Sequence, residues 1–226
     1  MDYITYLSIA IPKLFAGLLI SFKVTFVSLG IGLLIGVPAA FARVYGPKWM
    51  KNLVIAFIEV IRGTPALVQL FLVYYGLPQF GVTFSALTSA YIALGLNSGA
   101  YQTEYFRGAI QAISSGQMEA ARSIGMTRMQ AIRLVILPQA FRLVIPAWSN
   151  EVVSMIKISS ILYLVAVPEM MTVARELYAR YFNPFQTYIT VGVVYLIIIS
   201  IITYLLGSVE KKMKIPGMEL DKRSMQ

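Results

Sequence analysis

The sequence predicts an all-α membrane protein with about five transmembrane helices. Its 226 residues are 58% hydrophobic and only 13% charged, whereas soluble domains carry about 25% charged residues. Two long stretches, 63–103 and 181–209, contain no Lys, Arg, Asp or Glu. Because a helix needs about 20 mainly apolar residues to cross the hydrocarbon core, each stretch has room for at least one span.

The five predicted spans follow one another along the chain, near residues 14–42, 53–76, 84–108, 140–166 and 186–208. Lys23 interrupts the first apolar run, so an interfacial helix before Val24 is an alternative for its beginning. The turn Pro78–Gly81 divides the second span from the third. The second, third and fourth spans carry polar residues at depth, whereas the fifth is uniformly apolar and is expected to face lipid.

The distribution of Lys and Arg predicts the orientation, because cytoplasmic loops of membrane proteins are enriched in both. The opposite side of the predicted bundle holds few of them: Lys13, Arg175 and Arg180. We therefore expect the N-terminus outside and the C-terminus in the cytoplasm. The orientation also accounts for the net charge of +9, so no nucleic-acid partner is expected. Thirteen of the 19 basic residues lie on the predicted cytoplasmic side: Arg43, Lys48, Lys51, Arg107, Arg122, Arg128, Arg133, Arg142, Lys211, Lys212, Lys214, Lys222 and Arg223.

The residue types that are missing from the sequence limit the catalytic, metal-binding and nucleotide-binding chemistry that this chain can perform. The sequence has no Cys and no His, which removes disulfides, thiolate metal sites and the commonest general base. It also lacks the Gly-x-x-x-x-Gly-Lys-Ser/Thr phosphate loop. We therefore expect no catalytic residue, no metal and no cofactor in this chain, and any ATP chemistry belongs to another chain.

A charged segment in the middle of the chain predicts a helical hairpin on the cytoplasmic side. Ser114-x-x-Gln117 and Thr127-x-x-Gln130 both fit the capping box that begins a helix. Gly125 lies between them and suits the left-handed conformation that ends one. From spacing alone, an ordinary amphipathic connector lying on the bilayer explains the segment as well. A DNA-binding helix-turn-helix is disfavoured, because its second helix would have to leave the membrane surface.

The hairpin resembles the EAA loop of ABC-transporter permeases. The family pattern is Glu-Ala-Ala, three residues, Gly, nine residues and Ile-x-Leu-Pro. This chain matches it from Glu119 to Pro138, with Val135 in place of the usual Ile. The resemblance implies a coupling helix within about 114–126 that docks on an ATPase subunit and passes its closure to the spans. The residues it assigns to coupling are Glu119, Ala120, Ala121, Arg122, Gly125 and Met126.

Three further segments resemble permeases for the uptake of polar amino acids. They are EVIRGTPALVQLF at 59–71, SGAYQTEYFRG at 98–108 and, more loosely, KISSIL at 157–162. The resemblance covers nearly the whole chain, which is then a single permease domain, 1–226, in the bacterial cytoplasmic (inner) membrane. It implies a second permease subunit, the same or a related chain, and two ABC ATPase subunits that carry ATP and Mg. It also implies an extracytoplasmic amino-acid binding protein, with a polar or basic amino acid as substrate.

Polar residues at membrane depth are the candidates for substrate binding. On the third span, Asn97, Tyr101 and Glu104 share one helix face, and Ser98 lies beside them. The fourth span repeats that spacing, which suggests a hydrated path between the two spans. Its candidates are Asn150, Glu151, Ser154, Met155 and Lys157.

The second span offers another element at Gly63-Thr64-Pro65. Thr caps helices well and Pro suits a first helical position, so the span is expected to break there, with a new helix beginning at Thr64. A broken helix presents free amides that suit a carboxylate. A proline kink used only for packing is the alternative.

Glu104 is the leading candidate for contact with the substrate, through the ammonium group of an amino acid. The alternative is a permanent pair between Glu104 and either Lys157 or an arginine. At the level of function, an ATP-driven importer competes with a stand-alone secondary transporter or channel that uses Glu104 as an ion or proton site. Such transporters usually contain internal repeats, which this sequence does not show. A membrane enzyme is disfavoured, because His, Cys and paired carboxylates are missing.

Overall fold

The computed structural model describes residues 2–213, and within them the chain forms nine α-helices and no strand. Lys214, Lys222, Arg223 and the C-terminus, whose cytoplasmic location was predicted, lie outside the described residues. The helices are α1 Tyr3–Tyr45, α2 Lys48–Arg62, α3 Ala66–Phe71, α4 Ala86–Ala112, α5 Ser115–Ser123, α6 Arg128–Ala131, α7 Leu137–Ile158, α8 Met170–Tyr181 and α9 Pro184–Met213.

Three helical stretches are long and apolar enough to cross a membrane: α1, Arg128–Val165 and α9. A fourth is the pair formed by α2 and Ala66–Phe80, which is bent by 98° at its break. The predicted third span, α4, is long enough at 27 residues but is not apolar enough to be among them. Because α4 is largely covered by neighbouring helices, it buries polar side chains instead of facing lipid. The count of five spans therefore remains a prediction.

The first helix is longer than the predicted span. It is continuous from Tyr3, before Lys23, and ends at Tyr45. Its 43 residues extend roughly 65 Å, about twice the thickness of the hydrocarbon core. The early part of α1 packs against α8, where Gly17 meets the backbone of Met170.

Two prolines follow widened helical turns. Residues Leu72–Gly76 and Ile132–Ile136 form π-helical turns, and each is followed directly by a Leu-Pro pair, at Pro78 and Pro138. Proline lacks an N–H and clashes with the carbonyl four residues earlier. A π turn relieves this conflict locally, so the helix continues into α7 without breaking.

The packing of α1 against α4 is the most extensive helix contact in the described chain. Small residues allow it: Gly32 and Gly36 on α1 lie directly against α4, and Gly95 and Gly99 on α4 lie against α1. A Cβ added at Gly36 would lie 2.8 Å from the Gln102 Cβ and 3.1 Å from a backbone oxygen. Small residues that let helix backbones approach closely are typical of membrane interfaces.

We therefore expect Gly36→Val to destabilise the bundle by about 1–3 kcal/mol through overpacking. The matched control is Gly30→Val on the same helix, where an added Cβ meets nothing within 4 Å. Thermal unfolding of the purified protein in detergent measures both variants. Equal melting temperatures for the two would show that the α1–α4 contact is not the tight one described here.

The predicted hairpin is present as α5, a glycine bend and α6. Gly125 has φ 86°, in the left-handed region, and backbone bonds from Gly125 and Met126 close the end of α5. The Thr127–Gln130 capping box is formed in both directions. The first box is not: the hydroxyl of Ser114 accepts from the Gly116 N–H instead, and the Gln117 side chain accepts from Gln139.

The six residues assigned to coupling, on α5 and in the bend after it, differ in their exposure. Glu119, Ala120, Arg122 and Gly125 are exposed, and Met126 is half-buried. Ala121 is only 4% exposed. Its side chain is covered by this chain, whereas that of Ala120 beside it is open to a partner. The role of this segment in coupling remains a prediction.

Candidate functional site

A cavity of about 500 Å³ lies where the α2–α3 break meets α4 and α7. Its wall combines charged, aromatic and small residues, and most of them come from segments that the sequence had indicated. The lining residues are Arg62, Gly63, Thr64, Pro65, Ala66, Asn97, Tyr101, Tyr105, Glu151, Ser154, Met155 and Ile158.

Two helix faces supply most of the wall. On α4, Asn97, Tyr101 and Tyr105 follow one another at intervals of four residues. On α7, Glu151, Met155 and Ile158 follow one another at intervals of four and three residues, which also places them on one face, and Ser154 lies beside them. An open cavity therefore lies between these two helices, where a hydrated path was expected.

The break between α2 and α3 is fixed by Gln69. Its amide nitrogen donates to the carbonyls of Ile61 and Thr64 at 2.7 and 3.1 Å, and to the Thr64 hydroxyl at 2.9 Å. Its amide oxygen accepts from the Asn97 side chain at 3.1 Å, which ties the break to α4. The sharp bend is thus held by side-chain hydrogen bonds and forms part of the cavity wall.

The expected cap at Thr64 is wrong in detail. The residue before α3 is Pro65, which makes no side-chain cap. Thr64 instead donates its hydroxyl backwards to the Val60 carbonyl at 2.9 Å, because the preceding helix leaves its last carbonyls unpaired. Thr64 and Gly63 still line the cavity, as predicted.

Glu151 carries the negative charge of the cavity wall. Its carboxylate accepts from the Ser98 hydroxyl at 3.0 Å and from the Tyr105 hydroxyl at 3.1 Å, and the residue is 5% exposed. Within residues 2–213 it forms no ion pair with Lys or Arg. A buried carboxylate held only by neutral donors gains strongly from a cation placed beside it.

Arg62 carries the positive charge. Its guanidinium lies 4.9 Å from the centre of the Tyr101 ring, in a cation–π arrangement that holds it at the cavity. Arg62 lies within a predicted span but was not among the predicted site residues, although a charge at membrane depth was the signal that could have found it. The other lining residues outside the predicted set of site residues are Pro65, Ala66, Tyr105 and Ile158.

Glu104 lies outside the cavity wall. Its carboxylate pairs with Arg43 on α1 and with Arg107 on its own helix, the latter at 2.8 Å. This geometry corresponds to the alternative of a Glu–Arg pair and links the ends of α1 and α4. The contact with Lys157 is not formed, because Lys157 is exposed and makes no ion pair within the described residues.

The remaining predicted residues divide into two groups. Ser98 lies behind the wall, where it holds the Glu151 carboxylate and accepts from Gln102. Asn150 is exposed and, like Lys157, does not line the cavity. The structure therefore gathers Gly63, Thr64, Asn97, Tyr101, Glu151, Ser154 and Met155 of the predicted set, and leaves Glu104, Ser98, Asn150 and Lys157 outside the wall.

A helical bundle with several spans and a polar cavity at a broken helix is the architecture of a membrane transport protein. Residues 32–215 match the family described as binding-protein-dependent transport system inner membrane component. The chain belongs to this family, and it is a multi-pass protein of the inner membrane.

Relatives and a solved structure agree with this assignment. The nopaline transport system permease protein NocM of Agrobacterium fabrum is 35% identical over 204 residues, covering 86% of this chain and 85% of the relative. The glutamine transport system permease protein GlnP of Escherichia coli is 36% identical, covering 91% and 95%. A crystal structure of an amino acid ABC transporter with histidines superimposes with a TM-score of 0.86 at 37% identity, covering 94% and 99%. The resemblance to amino-acid permeases of ABC transporters is thus confirmed.

Proposed function

We propose that this chain forms the translocation path of an ATP-driven importer and binds a polar amino acid in the cavity between α2–α3, α4 and α7. The observation that carries the proposal is the presence of two opposite charges on the wall of one cavity. Arg62 supplies a guanidinium, and Glu151 supplies a carboxylate that has no basic partner among the described residues. A zwitterion presents the two complementary groups.

The chemistry of the wall suggests how such a substrate is held. A guanidinium binds a carboxylate through two parallel hydrogen bonds, so Arg62 would take the α-carboxylate. Glu151 would take the α-ammonium, while Ser98 and Tyr105 keep its carboxylate in position. Asn97 and Ser154 remain to contact a polar side chain. This assigns to Glu151 the ammonium contact that the sequence favoured for Glu104.

The exposed face of α5 would couple the cavity to ATP hydrolysis on a partner chain. Glu119 and Arg122 are exposed there and can pair with a partner, and Ala120 leaves room for close approach. The helix is held on this chain by its contacts with the π-helical turn Ile132–Ile136, which leads directly into α7. Because α7 carries Glu151, a push on α5 reaches the cavity through one continuous helix. Two ATPase subunits, a second permease chain and an extracytoplasmic binding protein complete the proposed assembly.

The proposed orientation places α5 in the cytoplasm and α8 on the opposite side. The chain has no cysteine, so single cysteines can be introduced at the exposed positions Ser115 and Ala179. We expect an impermeant maleimide added to intact cells to label Ala179→Cys and not Ser115→Cys. After permeabilisation both should react. Labelling of both before permeabilisation would contradict the orientation.

Uptake into proteoliposomes that contain the whole transporter tests the function. A panel of radiolabelled amino acids, presented with the binding protein, should show uptake that requires ATP and persists with a protonophore. Uptake that proceeds without ATP and collapses with the protonophore would instead establish a secondary transporter. Arg62→Gln should raise the concentration needed for half-maximal uptake, whereas Arg175→Gln on the exposed surface of α8 should not.

A further inference from the structure

A second binding region lies far from the cavity, between the beginning of α1 and α9. It is an open groove of about 310 Å³ with an almost entirely apolar wall. Leu7, Ile11 and Phe15 form one side at intervals of four residues, and Val194 and Ile197 are part of the other. Phe15 and Ile197 are each about half exposed, so no residue between 2 and 213 covers the groove.

A polar pocket of about 120 Å³ adjoins one end of the groove, and Tyr3 lines both. The other lining residues of the pocket are Tyr6, Tyr181, Asn183 and Gln186. Several of their groups already bond to each other: Tyr6 donates to the Thr187 hydroxyl at 2.8 Å, and Asn183 accepts from Thr187 through its Oδ1 at 3.1 Å. This leaves the Asn183 amide N–H groups and the Gln186 side chain to donate to a ligand.

We propose that the groove and the pocket together form a binding site for one phospholipid. An acyl chain lies in the groove, and the phosphate and ester oxygens of the same molecule accept hydrogen bonds in the pocket. A ligand with one apolar part and one polar part matches the two adjoining regions, and in a bilayer phospholipid is the abundant molecule of this kind. The guanidinium of Arg180, which lies 5.8 Å from the centre of the Tyr181 ring, adds positive charge beside the pocket.

The dimensions and the aromatic residues agree with a lipid. From Tyr3 to Phe15 the helix rises about 18 Å, and one leaflet contributes about 15 Å of hydrocarbon. Three tyrosines cluster at the polar end: Tyr3 stacks on Tyr6 with ring centres 6.3 Å apart, and Tyr181 meets Tyr6 edge-on at 6.0 Å. Tyrosines of this kind mark the interface between hydrocarbon and headgroups.

The site is independent of the amino-acid cavity. The two regions share no lining residue, because the cavity is built from α2–α3, α4 and α7. A bound phospholipid would fill the seam between α1 and α9 at the end where both helices begin. The inference therefore depends on the membrane location of the chain and not on its substrate.

Native mass spectrometry of the purified transporter tests the proposal, with 1-palmitoyl-2-oleoyl-phosphatidylglycerol as the probe. The transporter is equilibrated with this lipid and then washed with detergent until lipid bound to the general surface is lost. Val194→Trp fills the groove. The matched control is Leu196→Trp, two residues away on the same helix, exposed and outside the groove. Gln186→Ala removes a polar contact without disturbing an internal side-chain bond.

We expect the unmodified protein and Leu196→Trp to retain one phospholipid per permease chain, and Val194→Trp to lose it. Gln186→Ala should weaken retention by roughly 2- to 12-fold, the effect of one hydrogen bond. Retention by Val194→Trp equal to that of the control would overturn the proposal, as would no retained lipid in the unmodified protein. Oxidative crosslinking between two chains that carry Ile197→Cys would also overturn it, because a second copy would then occupy the groove.

Discussion

Glu151→Gln is expected to weaken amino-acid transport by roughly 10- to 150-fold, measured as the concentration that gives half-maximal uptake. The change keeps the shape of the side chain and removes its charge. A hydrogen bond to a charged group contributes about 1.5–3 kcal/mol, and this energy corresponds to the expected loss of affinity. Folding should be preserved, since one of the Ser98 and Tyr105 hydroxyls can still donate to the amide oxygen while the other can accept from the amide N–H.

Two control variants make this result specific. Glu176→Gln neutralises an exposed carboxylate on α8 and should leave uptake unchanged. Glu104→Gln strands the partly buried guanidinium of Arg43, so it should lower thermal stability rather than substrate affinity. If Glu104→Gln reduced affinity and Glu151→Gln did not, the substrate contact would belong to Glu104 after all.

Gly125→Val is expected to separate ATP hydrolysis from transport. Gly125 has φ 86°, and a side chain there costs about 1–2 kcal/mol although no neighbour lies within 4 Å of an added Cβ. The strain would reorient the end of α5. Its free energy is enough to reduce the population of transporters in which α5 is docked on the ATPase by roughly 5- to 30-fold. ATP hydrolysis by the reconstituted transporter should then no longer respond to the loaded binding protein.

Two further substitutions test whether the effect of Gly125→Val comes from the left-handed backbone conformation of Gly125. Gly108→Val places the same side chain on α4 at an exposed position with open space and helical φ, so its coupling should be normal. Gly125→Asn should retain much of the coupling, because Asn tolerates the left-handed conformation. Equal uncoupling by the Val and Asn variants would show that the glycine is needed for contact with the partner and not for its conformation.

The parts of the fold that depend on local signals could be predicted from the sequence. The hairpin bend at Gly125 and the capping box at Thr127 require only residues within one turn of each other, and both are present. The bend after Arg62 likewise follows from a Gly-Thr-Pro sequence. At Ser114 the capping-box motif did not predict the hydrogen bond that forms, because the Gly116 N–H can compete with a capping box to Gln117 for the Ser114 hydroxyl.

Features that depend on distant packing could not be predicted in the same way. Helix α8 has no strong apolar run, and it is held by contacts with α1. The Glu169 carboxylate, which caps the beginning of α8, accepts from the Ser21 hydroxyl of α1 at 3.4 Å. The pair between Glu104 and Arg43 joins residues 61 positions apart. On sequence grounds a Glu–Arg pair was only the alternative for Glu104, and nothing singled out Arg43 as the partner.

The choice among neighbouring candidates on α7 shows the same limit. Helical spacing identifies residues that share a face, but it does not say which face meets the cavity. Asn150 and Glu151 are adjacent in sequence and point about 100° apart. The structure exposes Asn150 and directs Glu151 to the cavity. A rotation of about one residue therefore separates the predicted stripe of Asn150, Ser154 and Lys157 from the observed wall of Glu151, Met155 and Ile158, and of the predicted stripe only Ser154 also lines the cavity.

The central claim is that Arg62 and Glu151 together recognise the two charges of an amino acid. The most direct measurement is equilibrium binding to the purified transporter of three compounds: the amino acid that the uptake panel selects, its decarboxylated amine and its 2-oxo acid. The unmodified protein should bind the intact amino acid most tightly. Glu151→Gln should lose the preference over the 2-oxo acid, which lacks the ammonium group, and keep the preference over the amine. An unchanged preference over the 2-oxo acid in Glu151→Gln would contradict the account.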